Sequence, residues 1–296
     1  MERFGVTHHR FILVITQSIY FDMIKPIKLR WWNRFILTFA CFLLVIACSN
    51  QGTFNSNTST TSGTAKQMTV AVQGSFPPFQ FLKDGQLQGF DIDVINGIGK
   101  ASDFQVKFEN LRFDGMITAL QAGTVDAAIA AMSITEERSK AVRFSRPYFR
   151  SGLAITVRED NRDITTLDSL KNKKVAVLIG TTGANEAKKI PGAQISNYDT
   201  VDQALLDLSV NKNVDAFIND APVTLYALKS GSFKGVKIAS ELLTQEYYGI
   251  PVAKNSPNLD TINKGLDTII KDGTYAQIYK KWFNAEPPQL PQSVTF

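Results

Sequence analysis

Residues 106–132 read VKFENLRFDGMITALQAGTVDAAIAAM, and this stretch decides the fold class. Val106–Glu109 reads as a strand. Asp114–Gln121 reads as a helix, with Gly123 just past its end, where glycine suits a helix terminus. Ala127–Met132 carries no charge and reads as a buried strand. Strand, helix and strand in one short run make the chain an α/β protein.

The rhythm extends in both directions. Upstream, Met68–Val72 is a short apolar strand and Phe90–Lys100 a helix, with Asp91 and Asp93 at its electropositive start. Downstream, Thr135 caps a helix whose first turn holds Glu136, Glu137 and Arg138. The pattern then restarts. Lys174–Leu178 is a strand followed by Gly180-Thr181-Thr182-Gly183 and a helix. Gln194–Tyr198 is a strand, Val201–Asn211 a helix, and Val214–Asn219 a strand. The next helix has Pro222 in its first turn. Tyr247–Val252 reads as one strand. Leu259, Ile262, Leu266, Ile269 and Ile270 share a helical face, and Tyr275–Phe283 is a last helix after the Asp272-Gly273 turn. Two such sets predict two α/β lobes. No glycine-rich nucleotide fingerprint or P-loop occurs.

Composition narrows the function. Hydrophobic residues make up 44% of 296 and charged residues 20%, which excludes wholesale disorder. The net charge of +5 is mostly N-terminal: residues 1–47 hold six basic and two acidic groups, leaving +1 for the rest. No basic excess calls for nucleic acid. The two histidines are His8 and His9, and the two cysteines Cys41 and Cys48. A chain without its N-terminus has no histidine, which excludes a Ser-His-Asp triad, a Cys-His pair and a histidine metal site. With Cys48 alone remaining, it has no internal disulfide. No metal or other cofactor is expected.

The N-terminus reads as an export signal. Basic and aromatic residues at 30–34 precede the uncharged run Phe35–Ala47, too short to span a bilayer, which takes about 20 apolar residues. Its end, Leu44-Val45-Ile46-Ala47-Cys48, resembles a bacterial lipobox and implies lipidation of Cys48. Residues 1–47 are thus the expected signal peptide, with 1–22 an upstream extension if Met23 is the true start. Residues 48–66 are rich in Ser, Thr, Asn and Gly and form the expected tether.

The motifs become specific as an ordered set. Phe76-Pro77-Pro78-Phe79 comes first, then Gly89-Phe90-Asp91-Ile92-Asp93 and the Phe113–Gly123 run with Val125-Asp126. Ser133-Ile134-Thr135-Glu136-Glu137-Arg138, Phe144-Ser145-Arg146-Pro147-Tyr148 and, near the C-terminus, Asp272-Gly273-Thr274-Tyr275 and Ile278–Phe283 complete it. In this order they resemble the polar amino-acid binding proteins of bacterial ABC importers, especially the glutamine and the lysine-arginine-ornithine binders, over about Met68 to Ala285.

The resemblance implies a two-lobe periplasmic-binding-protein fold with a central sheet in each lobe and a two-crossing hinge. Lobe one would comprise 67–149 plus 249–285, lobe two 150–248 with the crossings, and 286–296 a frayed tail. It also implies a non-enzymatic receptor, periplasmic or on the cell surface and held to the membrane by Cys48. This receptor would be a monomer that binds a free L-amino acid and delivers it to a membrane permease.

The resemblance also implies the site roles, residue by residue. Arg138 offers a planar fork for the ligand carboxylate. Asp220 would take the ammonium while capping the helix that follows it. Ser133 contributes a hydroxyl and an N–H; Ala130 and Ala131 contribute backbone and close packing. The turn at Thr181 and Thr182 presents free N–H groups as a second carboxylate clamp, with Thr182 favoured. Phe76 and Phe113 cover the ligand's aliphatic part. Side-chain choice falls to Gln73, where related binders carry aspartate, to Leu178, where glutamine binders carry lysine, and to Asn219, where they carry histidine. None of the three is charged, so a glutamine-like ligand is expected first and a basic one next. The competing class is a secreted cyclohexadienyl or arogenate dehydratase of the same fold.

Overall fold

The computed structural model describes residues 66–296. The signal segment, Cys48 and nearly all of the tether lie outside that range. Among the described residues no helix is long and apolar enough to cross a membrane.

Two sheets organise the chain. The first is parallel, in the order Phe104–Asn110, Lys66–Val72, Ala127–Ala128. The helix Phe90–Ala101 covers it, burying Phe90, Val94, Ile95 and Ile98. Asn258–Lys271 and Thr274–Phe283 pack on that helix from the far end of the sequence. The second sheet runs Gln194–Tyr198, Lys174–Leu178, Ala216–Asp220, Leu153–Arg158, Val236–Ile238. Its first three strands are parallel, and Leu153–Arg158 is antiparallel to both of its neighbours. This is the mixed α/β, two-sheet arrangement expected from the alternation.

Two extended segments connect the sheets side by side: Phe149–Ser151 pairs antiparallel with Glu246–Tyr248. Behind them lies an aromatic cluster in which Phe149 stacks on Tyr248 at 5.5 Å between centroids and Phe79 meets both edge-on.

Four expectations change. Tyr247–Val252 is not one strand but two, Glu246–Tyr248 and Pro251–Ala253, because the chain changes partner from Phe149–Ser151 to Val142–Phe144. The break falls at Gly249, where a Cβ would lie 2.8 Å from the Ile134 side chain. Ala127–Met132 leaves the ladder after Ala128, and Ala131 takes a left-handed φ of 49°. The helix from Val201 widens into a π-turn at Asp207–Asn211. The C-terminal tail lies along the surface, with Leu290 against the core. The small antiparallel meander Ser75–Phe76, Gln80–Lys83, Gln86–Gln88 was not read from the sequence at all.

Candidate functional site

A cavity opens between the two sheets where several strands end and helices begin. Thr135 caps the helix Glu136–Ala141, its Oγ1 accepting from the Arg138 N–H at 3.2 Å. That fixes the turn from which the Arg138 side chain enters the cavity. Its Nη1 donates to the Ser133 carbonyl at 2.8 Å and its Nη2 to the Gly180 carbonyl at 3.0 Å. The guanidinium lies over the Phe113 ring, 5.2 Å from the centroid, within cation–π range. Burial pulls its pKa down, and the nearby carboxylates of Glu246 and Asp220 oppose that pull.

Across the cavity, Asp220 closes the strand Ala216–Asp220 and is buried. It sits at the N-cap position of the following helix, but its side chain makes no capping bond. Instead Oδ1 accepts from Tyr248 OH at 2.6 Å and from Ser151 Oγ at 3.2 Å, both on the crossing segments. The expected capping role is therefore not observed: two hydroxyls hold the carboxylate facing the cavity. Burial pushes its pKa up, and the Glu246 charge adds to that.

Thr181 caps the helix Thr182–Lys188, with Oγ1 accepting from the Ala184 N–H at 3.2 Å and donating to the Leu178 carbonyl at 2.8 Å. Thr182 Oγ1 donates to Glu246 Oε2 at 3.0 Å, and Ser133 Oγ donates to the same oxygen. Ala131 is pinned by its N–H, which donates to the buried Asp91 carboxylate at 2.8 Å. Gln73 Nε2 donates to Ser75 Oγ at 3.2 Å and to the Asp199 carbonyl at 3.0 Å. Phe76, Ala130 and Leu178 complete the apolar lining.

One candidate lies elsewhere. Asn219 does not line the cavity. It precedes Asp220 on a strand, where successive side chains face opposite ways; it is buried, and its Nδ2 has no partner among the described residues. Conversely, Gln80, Arg112, Asp114, Ile179, Tyr198 and Asp199 line the cavity without having been read as site residues. Glu246 stands beside the site and joins its hydroxyls. Asp114 was within sight, next to Phe113 in the motif. Asp199 and Glu246 carried no signal, because they arrive from a strand end and a crossing that only the fold brings close.

The geometry is that of a polar cleft lined by both Arg138 and Asp220. The description "Bacterial extracellular solute-binding proteins, family 3" matches residues 68–285, and the chain belongs to that family. It is 30% identical over 265 residues to the "Probable amino-acid-binding protein YxeM" of Bacillus subtilis (strain 168), covering 88% of this chain and 97% of the relative. An ancestral arginine-binding protein, solved with arginine and with glutamine, is 44% identical. Its TM-scores are 0.70 and 0.71, over 73% and 74% of this chain and 98% of each of those. The ancestral amino-acid-binding protein AncCDT-1, a precursor of cyclohexadienyl dehydratase, is 36% identical with a TM-score of 0.68, over 73% of this chain and 95% of that one.

Proposed function

We propose that the chain is an extracytoplasmic, lipid-anchored receptor that binds a polar L-amino acid and passes it to the membrane permease of an ABC importer. The observation that carries this reading is the placement of Arg138 and Asp220 on one cavity. A free amino acid carries an anion and a cation a few bonds apart, and each needs a partner once water is excluded. Ser133 and Thr182 stand near Arg138 and would share the carboxylate once their hydroxyls turn from Glu246, and Phe76 and Phe113 offer surface to the aliphatic stem. Segments 67–149 plus 249–285 and 150–248 act as lobes that close by a hinge at the crossings. Binding and release then need only differential contacts between open and closed forms.

For the side chain we favour a glutamine-like ligand, whose amide can exchange hydrogen bonds with Gln73. Basic amino acids come next: Asp114 and Asp199 line the same cavity, and the ancestral relative was solved with arginine as well as glutamine. The dehydratase alternative draws support from Asp220, whose raised pKa would suit a proton donor, and from the similarity to AncCDT-1. Residues 1–47 serve as the export signal, Cys48 as the lipidated first residue of a monomeric mature chain, and 48–66 as the tether.

Thermal-shift screening of the twenty amino acids against the purified protein tests the reading. A ligand at 100 times its Kd should stabilise the fold by about 2.7 kcal/mol. Glutamine is expected to act at the lowest concentration and prephenate to be left unturned. No stabilisation by any amino acid, or turnover of prephenate, would remove the receptor reading. Mass spectrometry of the mature protein from cells should find a diacylated Cys48 at its N-terminus; an unmodified Cys48 inside a longer chain would remove the anchor.

A further inference from the structure

Arg138 and Asp220 do not account for all the charge at the cavity. Three more ionic side chains stand at its mouth. Arg112 grips Asp114 with two prongs, Nε to Oδ1 and Nη2 to Oδ2, each at 3.2 Å. The same Nη2 reaches Asp199 Oδ1 at 3.0 Å. Asp199 follows the edge strand of the five-stranded sheet, whereas Arg112 follows the edge strand of the three-stranded one, so this ion pair spans the cleft. Gln73 donates to the backbone carbonyl of the same Asp199. The amide read as arbiter of the ligand side chain and the Arg112 guanidinium therefore hold one aspartate between them.

We propose that Arg112 is a specificity-determining residue that sets how the cleft weighs neutral against cationic ligand side chains. The inference rests on the amino-acid reading above and deepens it. Arg112 is one cation shared by two carboxylates, so the mouth keeps a single uncompensated negative charge. Without the guanidinium, two carboxylates are freed and a lysine or arginine side chain gains a partner. Without the Asp199 charge, Arg112 and Asp114 cancel, and a cationic side chain meets a neutral mouth. A glutamine side chain responds to neither change except through closure of the cleft. The side chains of Arg112 and Asp199 are 60% and 52% exposed, so both tolerate substitution and solvent screens their effect.

The test is the ratio of Kd values for arginine and glutamine, measured by calorimetry on the intact protein at low and physiological salt. Arg112→Gln should move the ratio toward arginine and Asp199→Asn toward glutamine, each by about two- to fivefold, the scale of exposed ion pairs. Both shifts should shrink as salt rises, and Arg112→Lys should keep the wild-type ratio. Arg112→Gln and Asp199→Asn break the same ion pair, so a merely structural role would move the ratio in one direction for both variants, or not at all. Either result overturns the inference. If the wild type binds no amino acid at all, the receptor reading falls together with this one; failure to bind arginine or glutamine while another amino acid binds, or binding with unshifted ratios, overturns this one alone.

Discussion

On the receptor reading, Arg138 is where a single side chain bears most on the ligand. Its guanidinium is held by the Ser133 carbonyl and lies over the Phe113 ring, both on its own side of the cleft, so it is oriented before any ligand arrives. Removing it leaves the ligand carboxylate without its cation in a cleft that closure dries. Arg138→Ala should therefore weaken binding by roughly 3–5 kcal/mol, the scale for removing one partner of a buried charge pair. The fold should survive, since the side chain is only partly buried and faces the cleft. Calorimetry giving an affinity within about tenfold of wild type (1.4 kcal/mol) would take Arg138 out of the site. Arg138, Ser133 and Asp220 are singled out in the sequence by the resemblance to the amino-acid binders, and all three line the cavity. Asn219 could not be placed the same way: one step along a strand reverses a side chain's direction. Glu246 was invisible for another reason. Nothing local marks it, and its contacts with Ser133, Thr182 and Thr244 exist only once the crossing lies beside both sheets.

At the level of elements, strands flanked by turn residues were legible and irregular ones were not. Lys174–Leu178 and Gln194–Tyr198 have the bounds read from the sequence, since turn residues flank both. The segment after Ala128 defeated the reading because what shapes it is tertiary. Asp91, in the first turn of the helix Phe90–Ala101, reaches across to the Ala131 N–H with Oδ2 and accepts from Tyr148 OH with Oδ1 at 3.0 Å. That buried carboxylate bends the chain out of the ladder and into the cleft lining. Burial raises its pKa from 3.8 to about 7, outweighing the two hydrogen bonds that favour the anion. A raised folded-state pKa fixes the sign. The stabilising contribution is complete below about pH 4 and is lost as pH climbs toward 7. Wild type should therefore lose stability relative to Asp91→Asn between pH 4 and 7, by up to about 4 kcal/mol at 1.36 kcal/mol per unit. Denaturant midpoints across that range measure it. Parallel curves for the two proteins would mean that Asp91 ionises equally easily folded and unfolded.

The whole molecule works, on this reading, by bringing two sheets together, and the contacts that span them are few. Arg138 reaches the Gly180 carbonyl, Arg112 reaches Asp199, and Gln73 reaches the Asp199 backbone. The alternation of elements foretold the two sheets, but not where they would touch, because that depends on the angle at the crossings. Gly180 marks a close approach. Its φ is +76°, and a Cβ there would lie 3.2 Å from Asp114 Cβ and 3.4 Å from Asp114 Cα, on the other side of the cleft. Gly180→Ala thus has two separable effects. The left-handed backbone penalises alanine in open and closed forms alike, by about 1–2 kcal/mol, and should lower the melting temperature without ligand. If the lobes part on opening, as the receptor reading requires, the contact with Asp114 is lost there, so the alanine should also raise Kd. Small-angle scattering should then show a smaller ligand-induced contraction for Gly180→Ala than for wild type at equal saturation. A variant that melts earlier yet binds and contracts as wild type does would mean that the cleft closes without pressing Gly180 against Asp114, and that the ion pair at Asp199 sets the stop instead.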